Sequence, residues 1–231
     1  MKIGTKSVLY GAHAFWLHPF CVAAAWWKLY GFPCDPRLWF AFFLHDIGYV
    51  GKPNMDGPEG EEHPRLGAAI MGFLFDWGMR DVWQCSHCGD LNCSLFHSWN
   101  GKWQHEMVKV PRTKWHDFTL LHSRHFAKKY GMQPSPLCVA DKYVPCLMPS
   151  WLYLPMVRWT GEIDEYMANG YKAAMNDSTP FTQEEREWFL LGGKFKDSWM
   201  WFKGLQSYMA RWVEAHKDGE ADTWTKVQTA A

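Results

Sequence analysis

The sequence has no surplus of charge of either sign, no long apolar run, no internal repeat and no low-complexity tract. Across 231 residues, 24 lysines and arginines balance 24 aspartates and glutamates. A formal net charge of zero argues against a chain that grips nucleic acid or an anionic membrane through bulk electrostatics. It leaves room for a local charged pocket. The longest apolar stretch, Leu38 to Leu44, is far short of the roughly 20 residues that a membrane-spanning helix needs. No basic segment followed by an apolar one opens the chain, because Lys2 and Lys6 flank little besides Ile3 and Gly4. The expectation is therefore a cytoplasmic protein with reduced thiols, in which clustered cysteines point to metal sooner than to disulfides. What the sequence does have is 16 Trp, 15 Phe and 11 His. The length suits one domain with a core large enough to need no disulfide staple, and the rings make that core bulky.

The apolar pattern is helical almost throughout, which predicts an all-α fold. Val22, Ala25, Trp26 and Leu29 follow His18 at helical spacing, and Gly31 closes that helix. Asp35-Pro36 opens a second helix as N-cap and first-turn proline, running through Leu38, Ala41 and Phe42 to His45 and stopping at Gly48. Residues 51–62 are rich in glycine, proline and acid and read as a loop, either solvated or acting as a lid. A third helix begins near His63-Pro64, with Gly67, Ile70, Met71 and Leu74 on one stripe. Residues 80–112 show no sustained period and read as an irregular insertion. Helix resumes from Trp115 to Tyr130, and again from Leu137 to Val144 behind a Ser135-Pro136 cap. Pro145, Pro149 and Pro155 are expected to cut the following stretch into short pieces. Thr182 with Glu185 fits a capping box, a final aromatic helix covers Asp197 to His216, and the tail after Asp218 should fray.

His45-Asp46 ends an aromatic helix. A carboxylate beside an imidazole in such surroundings is costly to desolvate unless a cation pairs with it. An ordinary polar helix terminus is the simpler alternative for that pair alone. It is not alone, however. His18 lies on the inward stripe of its helix, His63 shares a stripe with Gly67 and Ile70, His122 shares a face with Phe118 and Phe126, and Asp141 follows Leu137 by one turn. Four histidines and two aspartates thus fall where successive helices should face the core. Imidazole and carboxylate without thiolate suit Fe, Mn, Zn or Mg.

Read in order, the motifs are His18-x3-Val22-Ala23, Leu44-His45-Asp46-Ile47-Gly48, His63-Pro64-x2-Gly67-Ala68, His122 and Val139-Ala140-Asp141-Lys142. This order resembles the HD-domain superfamily of metal-dependent phosphohydrolases, in the branch whose H…HD…H…H…D set holds two metals. The resemblance covers residues 10–145, with the insertion at 80–112 inside it and an aromatic helical extension over 146–217 outside it. It implies that His18, His45 and Asp141 hold one metal, His63 and His122 the other, and that Asp46 bridges both. Two such cations bind a phosphoryl group and make a nucleophile of water at neutral pH. His13 is an alternative to His18, while His87, His97, His105 and His116 are alternatives to His122. Where many relatives carry Lys after the His-Asp-Ile-Gly run, this chain has Tyr49, with Lys52 three places on. Lys52, Arg124, Lys128, Lys129 and Lys142 are the candidate phosphate contacts, Lys128 and Lys129 reading more simply as solvated surface. His125 is a candidate proton donor.

The implied activity is hydrolysis of a small phosphoester, a nucleotide first, in a single domain whose oligomeric state is open. The first alternative is the oxygenase branch of the same superfamily, which holds a mixed-valent di-iron centre with the same ligand set and cleaves a C–C or C–P bond with O2. The second is a binding protein that kept the fold and lost the chemistry. Separately, Cys85, Cys88, Cys93 and His97 have a spacing compatible with a structural zinc. Stray core cysteines are the simpler reading of that cluster. The aromatics beyond residue 145, such as Trp151, Tyr153 and Trp212, read as core sooner than as a stacking platform.

Overall fold

The computed structural model describes residues 1–85, 98–99, 102–103, 105–222 and 224, and of residues 81–108 the backbone alone. Regular structure is overwhelmingly α-helical, as the apolar spacing predicts. In the first half, α1 (Ile3–Tyr10), α2 (His18–Tyr30) and α3 (Pro36–Leu44) are followed by a 3-10 turn (Ile47–Tyr49), α4 (Pro58–Glu61) and α5 (Pro64–Phe75). After four strands come α6 (Lys114–Leu120), α7 (Arg124–Lys129) and α8 (Pro136–Leu147). The second half adds α9 (Ser150–Thr160), α10 (Glu162–Ala174), α11 (Gln183–Phe195) and α12 (Ser198–His216). Helix starts are fixed by side chains that occupy orphan backbone N–H groups. Asp35 accepts from Arg37 N at 3.0 Å, Ser135 from Cys138 N at 3.4 Å, and Asp197 from Trp199 N at 2.9 Å. Thr182 and Glu185 form the reciprocal capping box.

Helix α2 lies along α8, α3 packs on α2 and α5, and α5 packs on α6. Helix α12 packs on α8 and α11, with α10 on α9 and α11. One apolar core runs through all of them, from Val22, Phe42 and Met71 through Leu137 and Val144 to Leu154, Met167, Phe189 and Phe202. The extension beyond residue 145 therefore shares its core with the helices that precede it.

Four expectations change. The insertion is not wholly irregular, because β1 (Met79–Cys85) pairs antiparallel with β4 (His105–Pro111) from Met79 opposite Pro111 to Cys85 opposite His105. Between them, β2 (Ser98–Trp99) pairs with β3 (Lys102–Trp103). Val82, Trp83, Val108 and Val110 favour strand, but polar neighbours hide the alternation. The helix expected over 115–130 is broken at Leu121 to Ser123, where Ser123 is the N-cap of α7. Pro145 and Pro155 lie inside α8 and α9 instead of ending them. Gln206 of α12 ties down the end of α8 by donating to the carbonyls of Pro145 at 2.9 Å and Met148 at 3.3 Å. Finally, the tail is pinned through Trp224. The buried Asp222 carboxylate accepts from Arg124 Nε at 2.8 Å, Trp212 Nε1 at 3.2 Å and Trp224 N at 3.1 Å. The Cys85, Cys88, Cys93 and His97 cluster lies outside the described side chains.

Glu185 joins α11 to α12. Its fully buried carboxylate accepts from Thr182 N at 2.9 Å, Ser207 Oγ at 2.8 Å and Arg211 Nε at 2.9 Å. Burial works against its charge, and the hydrogen bonds led by Arg211 outweigh burial, so its pKa lies below the usual value. A depressed carboxylate pKa gives stability that is complete above the unfolded-chain value of about 4.3 and is lost as pH falls through the folded value. Thermal melts from about pH 6 to about pH 3 are therefore expected to show Glu185→Gln less stable by about 1–3 kcal/mol at the upper end. The gap should narrow toward the lower end. A gap independent of pH contradicts this assignment.

Candidate metal centre

Six side chains from five separate stretches of chain meet at one buried point. His18 is the first residue of α2, with Pro19 behind it in the first turn. His45 directly follows α3, its N–H still bonded to Ala41 O at 3.0 Å. Asp46 then leaves helical geometry (φ −99°, ψ 0°) to enter the 3-10 turn. His63 is the N-cap of α5. His122 sits in the break between α6 and α7, and Asp141 on the buried face of α8. Two glycines let these backbones approach. A Cβ on Gly48 would stand 2.0 Å from His63 O, and one on Gly67 2.3 Å from Leu44 O. The glycines of the His-Asp-Ile-Gly and His-Pro-x2-Gly-Ala motifs thus serve contact between the two turns that carry the ligands.

The donor atoms fall into two groups that share Asp46. His18, His45, Asp46 and Asp141 form one, and Asp46, His63 and His122 the other, with all donor atoms of each group within 4.8 Å of one another. Oδ2 of Asp46 lies 3.2 Å from His18 Nε2 and 3.0 Å from His45 Nε2. Its Oδ1 lies 3.5 Å from His63 Nε2 and 3.4 Å from His122 Nε2. Asp141 Oδ1 completes the first group at 3.1 Å from His18 Nε2. All six residues are buried.

Hydrogen bonding decides which nitrogens are available. Nδ1 of His45 donates to Phe42 O at 3.0 Å, Nδ1 of His63 to Gly60 O at 2.7 Å, and Nδ1 of His122 to Thr119 O at 2.6 Å. In a neutral imidazole the other nitrogen is then a lone pair. His63 Nε2 and His122 Nε2 stand 3.0 Å apart, and His18 Nε2 and His45 Nε2 3.3 Å apart. At His63 and His122 two lone pairs face one another and repel unless positive charge lies between or beside them. His18, whose Nδ1 has no partner, can instead carry its proton on Nε2 toward Asp46 and Asp141. The buried Asp46 Oδ2 has no donor besides the ring nitrogens of His18 and His45. Backbone carbonyls orienting the far nitrogen are the usual support of a metal-ligating histidine. The donor set fits two divalent cations of the Fe, Mn or Zn type.

The titration pattern agrees. Burial pushes the pKa values of His63 and His122 down, which favours the neutral, ligating form. Burial would raise Asp46, but the imidazoles around it, His45 and His13 first, hold it well below the usual carboxylate range. At His18 burial is outweighed by hydrogen bonds to Asp141 and Asp46, and the pKa rises to about 9. The side of the cluster with two carboxylates is thus where positive charge is most favoured.

Lys142 donates to Asp141 Oδ2 at 2.8 Å, so its ammonium supports the carboxylate that faces His18. Arg124 is engaged by Asp222 and lies over the Trp212 ring, with Lys128 3.8 Å from the same carboxylate. Lys129 lies over Phe126. His125 is exposed, 3.9 Å from Glu61. Lys52 is held under α1 through Gly4 N and Tyr49 O. Among the alternatives to His122, His116 pairs with Asp117 outside the cluster, and the side chains of His87, His97 and His105 are outside the described set. His13 stands beside the cluster, 3.9 Å from Asp46, and Tyr49 stacks on His63 with ring centroids 3.8 Å apart. The acidic loop is anchored to α10, whose Glu165 accepts from Met55 N and Asp56 N at 2.9 Å each. Burial and Asp56 push the pKa of Glu61 in this loop up to about 7. Ser7 and Glu162, which reach His13, carry no motif in the sequence.

Compared with known family models, curated proteins and solved structures, the chain finds no match. The geometry itself makes the expectation on metal. Protein purified without chelator and reloaded with Mn or Zn should hold about two equivalents per chain, Asp46→Ala markedly fewer, and His63→Ala about one. Chelation should lower the melting temperature, since binding at a hundred times Kd adds about 2.7 kcal/mol. A metal-free protein whose melting ignores added metal would contradict the assignment.

Proposed function

We propose that this chain is a phosphohydrolase of the HD-domain type, cleaving a small phosphoester, with a nucleotide as the first candidate. The observation that carries the reading is the Asp46 carboxylate, with one oxygen toward His18 and His45 and the other toward His63 and His122. A carboxylate shared in this way fits a two-cation site better than a single-ion one. The order of the ligands along the chain, and their gathering at one point, agree with the HD resemblance.

When bound, a pair of divalent cations polarises a phosphoryl oxygen and lowers the pKa of water toward neutrality. The chain's own residues prepare that chemistry. Four neutral imidazoles and two carboxylates bring only two negative charges, so two divalent cations would leave a surplus of two positive charges for an anionic substrate. Lys142 keeps Asp141 ionised and aimed at the His18 side. The buried Phe42, which lines the same small cavity as His18, His45 and Asp46, helps keep water from screening the site. Tyr49 walls the His63 side with an aromatic face.

A second reading, oxygen activation at a di-iron centre, draws on that same tyrosine. Where a hydrolase gains from a phosphate-binding cation, this chain presents the Tyr49 ring against His63, and Lys142 is bound to Asp141.

The test is turnover of nucleoside mono-, di- and triphosphates and their deoxy forms by Mn- and Fe-loaded protein, with Asp46→Asn as control. Hydrolysis predicts release of phosphate, diphosphate or nucleoside from at least one, lowered at least about a hundredfold in the variant. No release from any of them sinks the hydrolase reading. Oxygen uptake by anaerobically prepared Fe protein, with a mixed-valent EPR signal, would put the second in its place.

A further inference from the structure

Beside the six ligands lies a second buried network that the proposed reaction does not use. Glu162, the first residue of α10, has a fully buried carboxylate. It accepts from Ser7 Oγ at 2.6 Å, Ala12 N at 2.8 Å, Thr160 Oγ1 at 2.8 Å and Tyr166 OH at 3.2 Å. Gly11 makes the approach possible, because a Cβ there would stand 2.0 Å from Glu162 Oε1. Burying a carboxyl group this deeply is a poor way to stabilise a fold, since apolar residues of like volume do as well or better. The donors answer the carboxylate's hydrogen-bonding needs. They do not explain why it is there.

What the network does is orient His13. A hydroxyl has one proton, and Ser7 gives its proton to Glu162. The 2.8 Å contact between Ser7 Oγ and His13 Nδ1 must then run the other way, with Nδ1–H donating. In the neutral ring this leaves Nε2 as a lone pair, and Nε2 is the nitrogen that faces the cluster, 3.9 Å from Asp46 Oδ2. That separation is too long for a hydrogen bond. A cavity of about 10 Å³ lies there, lined by His13, His18, His45 and Asp46, about the room that one water needs.

We propose that His13 is a water-orienting residue of the centre, its Nε2 accepting a hydrogen bond from a water in this cavity, with Ser7 and Glu162 as positioning residues that fix its tautomer and aim. This rests on the hydrolytic reading for its purpose and on the hydrogen-bond geometry for its content. It also gives the helices after residue 145 a part in the site, because Glu162 reaches back to the loop that carries His13.

The test separates the two. Zn-loaded, diamagnetic protein with 15N-labelled histidine reports the tautomer of His13 directly, in the wild type and in Ser7→Ala. The expected wild-type spectrum has Nδ1 protonated and Nε2 as a free acceptor, and Ser7→Ala is expected to mix in the opposite tautomer. His13→Ala is expected to keep the wild-type zinc content. On p-nitrophenyl phosphate with Mn, His13→Ala and Glu162→Gln are expected to lose about 10- to 100-fold in kcat with little change in KM. A protonated Nε2 in the wild type, or a tautomer unmoved in Ser7→Ala, overturns the proposal. A metal-shifted Nε2 with zinc lost in His13→Ala overturns it by making His13 a ligand. Should the wild type not turn over the phosphate ester while the spectra come out as expected, the hydrolytic reading fails and the orientation of His13 stands.

Discussion

The Asp46 carboxylate, buried between two pairs of imidazoles, sets the terms for the rest of the structure. Removing an ionised carboxylate from water costs several kcal/mol even after relaxation. Here the cost is compounded by two lone pairs facing one another 3.0 Å apart at His63 and His122. Neutral hydrogen bonds cannot resolve this arrangement, because the Nδ1 protons of His45, His63 and His122 are already given to backbone carbonyls. Positive charge inside the cluster can. The accounting of donors and acceptors therefore marks this cluster as one that could hold metal, independently of any likeness to other proteins.

The fold is arranged to keep that arrangement in place. The ligands stand at helix ends or breaks more often than mid-helix, so each is positioned by a cap, a turn or a close backbone contact. The long α2–α8 pair sets His18 opposite Asp141, and the contact of Gly48 with the His63 turn brings Asp46 to the second pair. The aromatic residues, abundant in the sequence, supply a continuous apolar core from α2 to α12. Glu162 adds a polar strut from the second half to the first, at the edge of the cluster.

The ligand set was legible because each of its members lies in a short motif or on an apolar stripe at helical spacing. His122 was legible for the wrong reason. Periodicity places it inward on a continuous helix, whereas it sits in the break between α6 and α7, and its orientation comes from the Nδ1 bond to Thr119 O at 2.6 Å. Helix starts at Asp35, Ser135, Thr182 and Asp197 were readable because capping is local chemistry. The β1–β4 ribbon was not, since its pairing joins residues twenty or more positions apart and polar residues interrupt the strand signal. Nor were prolines inside α8 and α9, whose tolerance depends on partners such as Gln206 from another helix. Arg124 and Lys142 are both near a ligand in sequence, yet Lys142 reaches Asp141 while Arg124 is engaged by Asp222, so sequence distance says little about where a long side chain finds its partner. Glu162 had no signal, because a glutamate at a helix start reads as an ordinary complement to the helix dipole.

The central claim is that Asp46 joins two metal ions in one centre. EPR of the Mn-loaded protein tests it most directly, as two Mn ions sharing a carboxylate at about 3.5–4 Å are magnetically coupled. The account expects the spectrum of an exchange-coupled pair at saturation, lost in Asp46→Ala. An isolated six-line spectrum at every ratio of Mn to protein would contradict it.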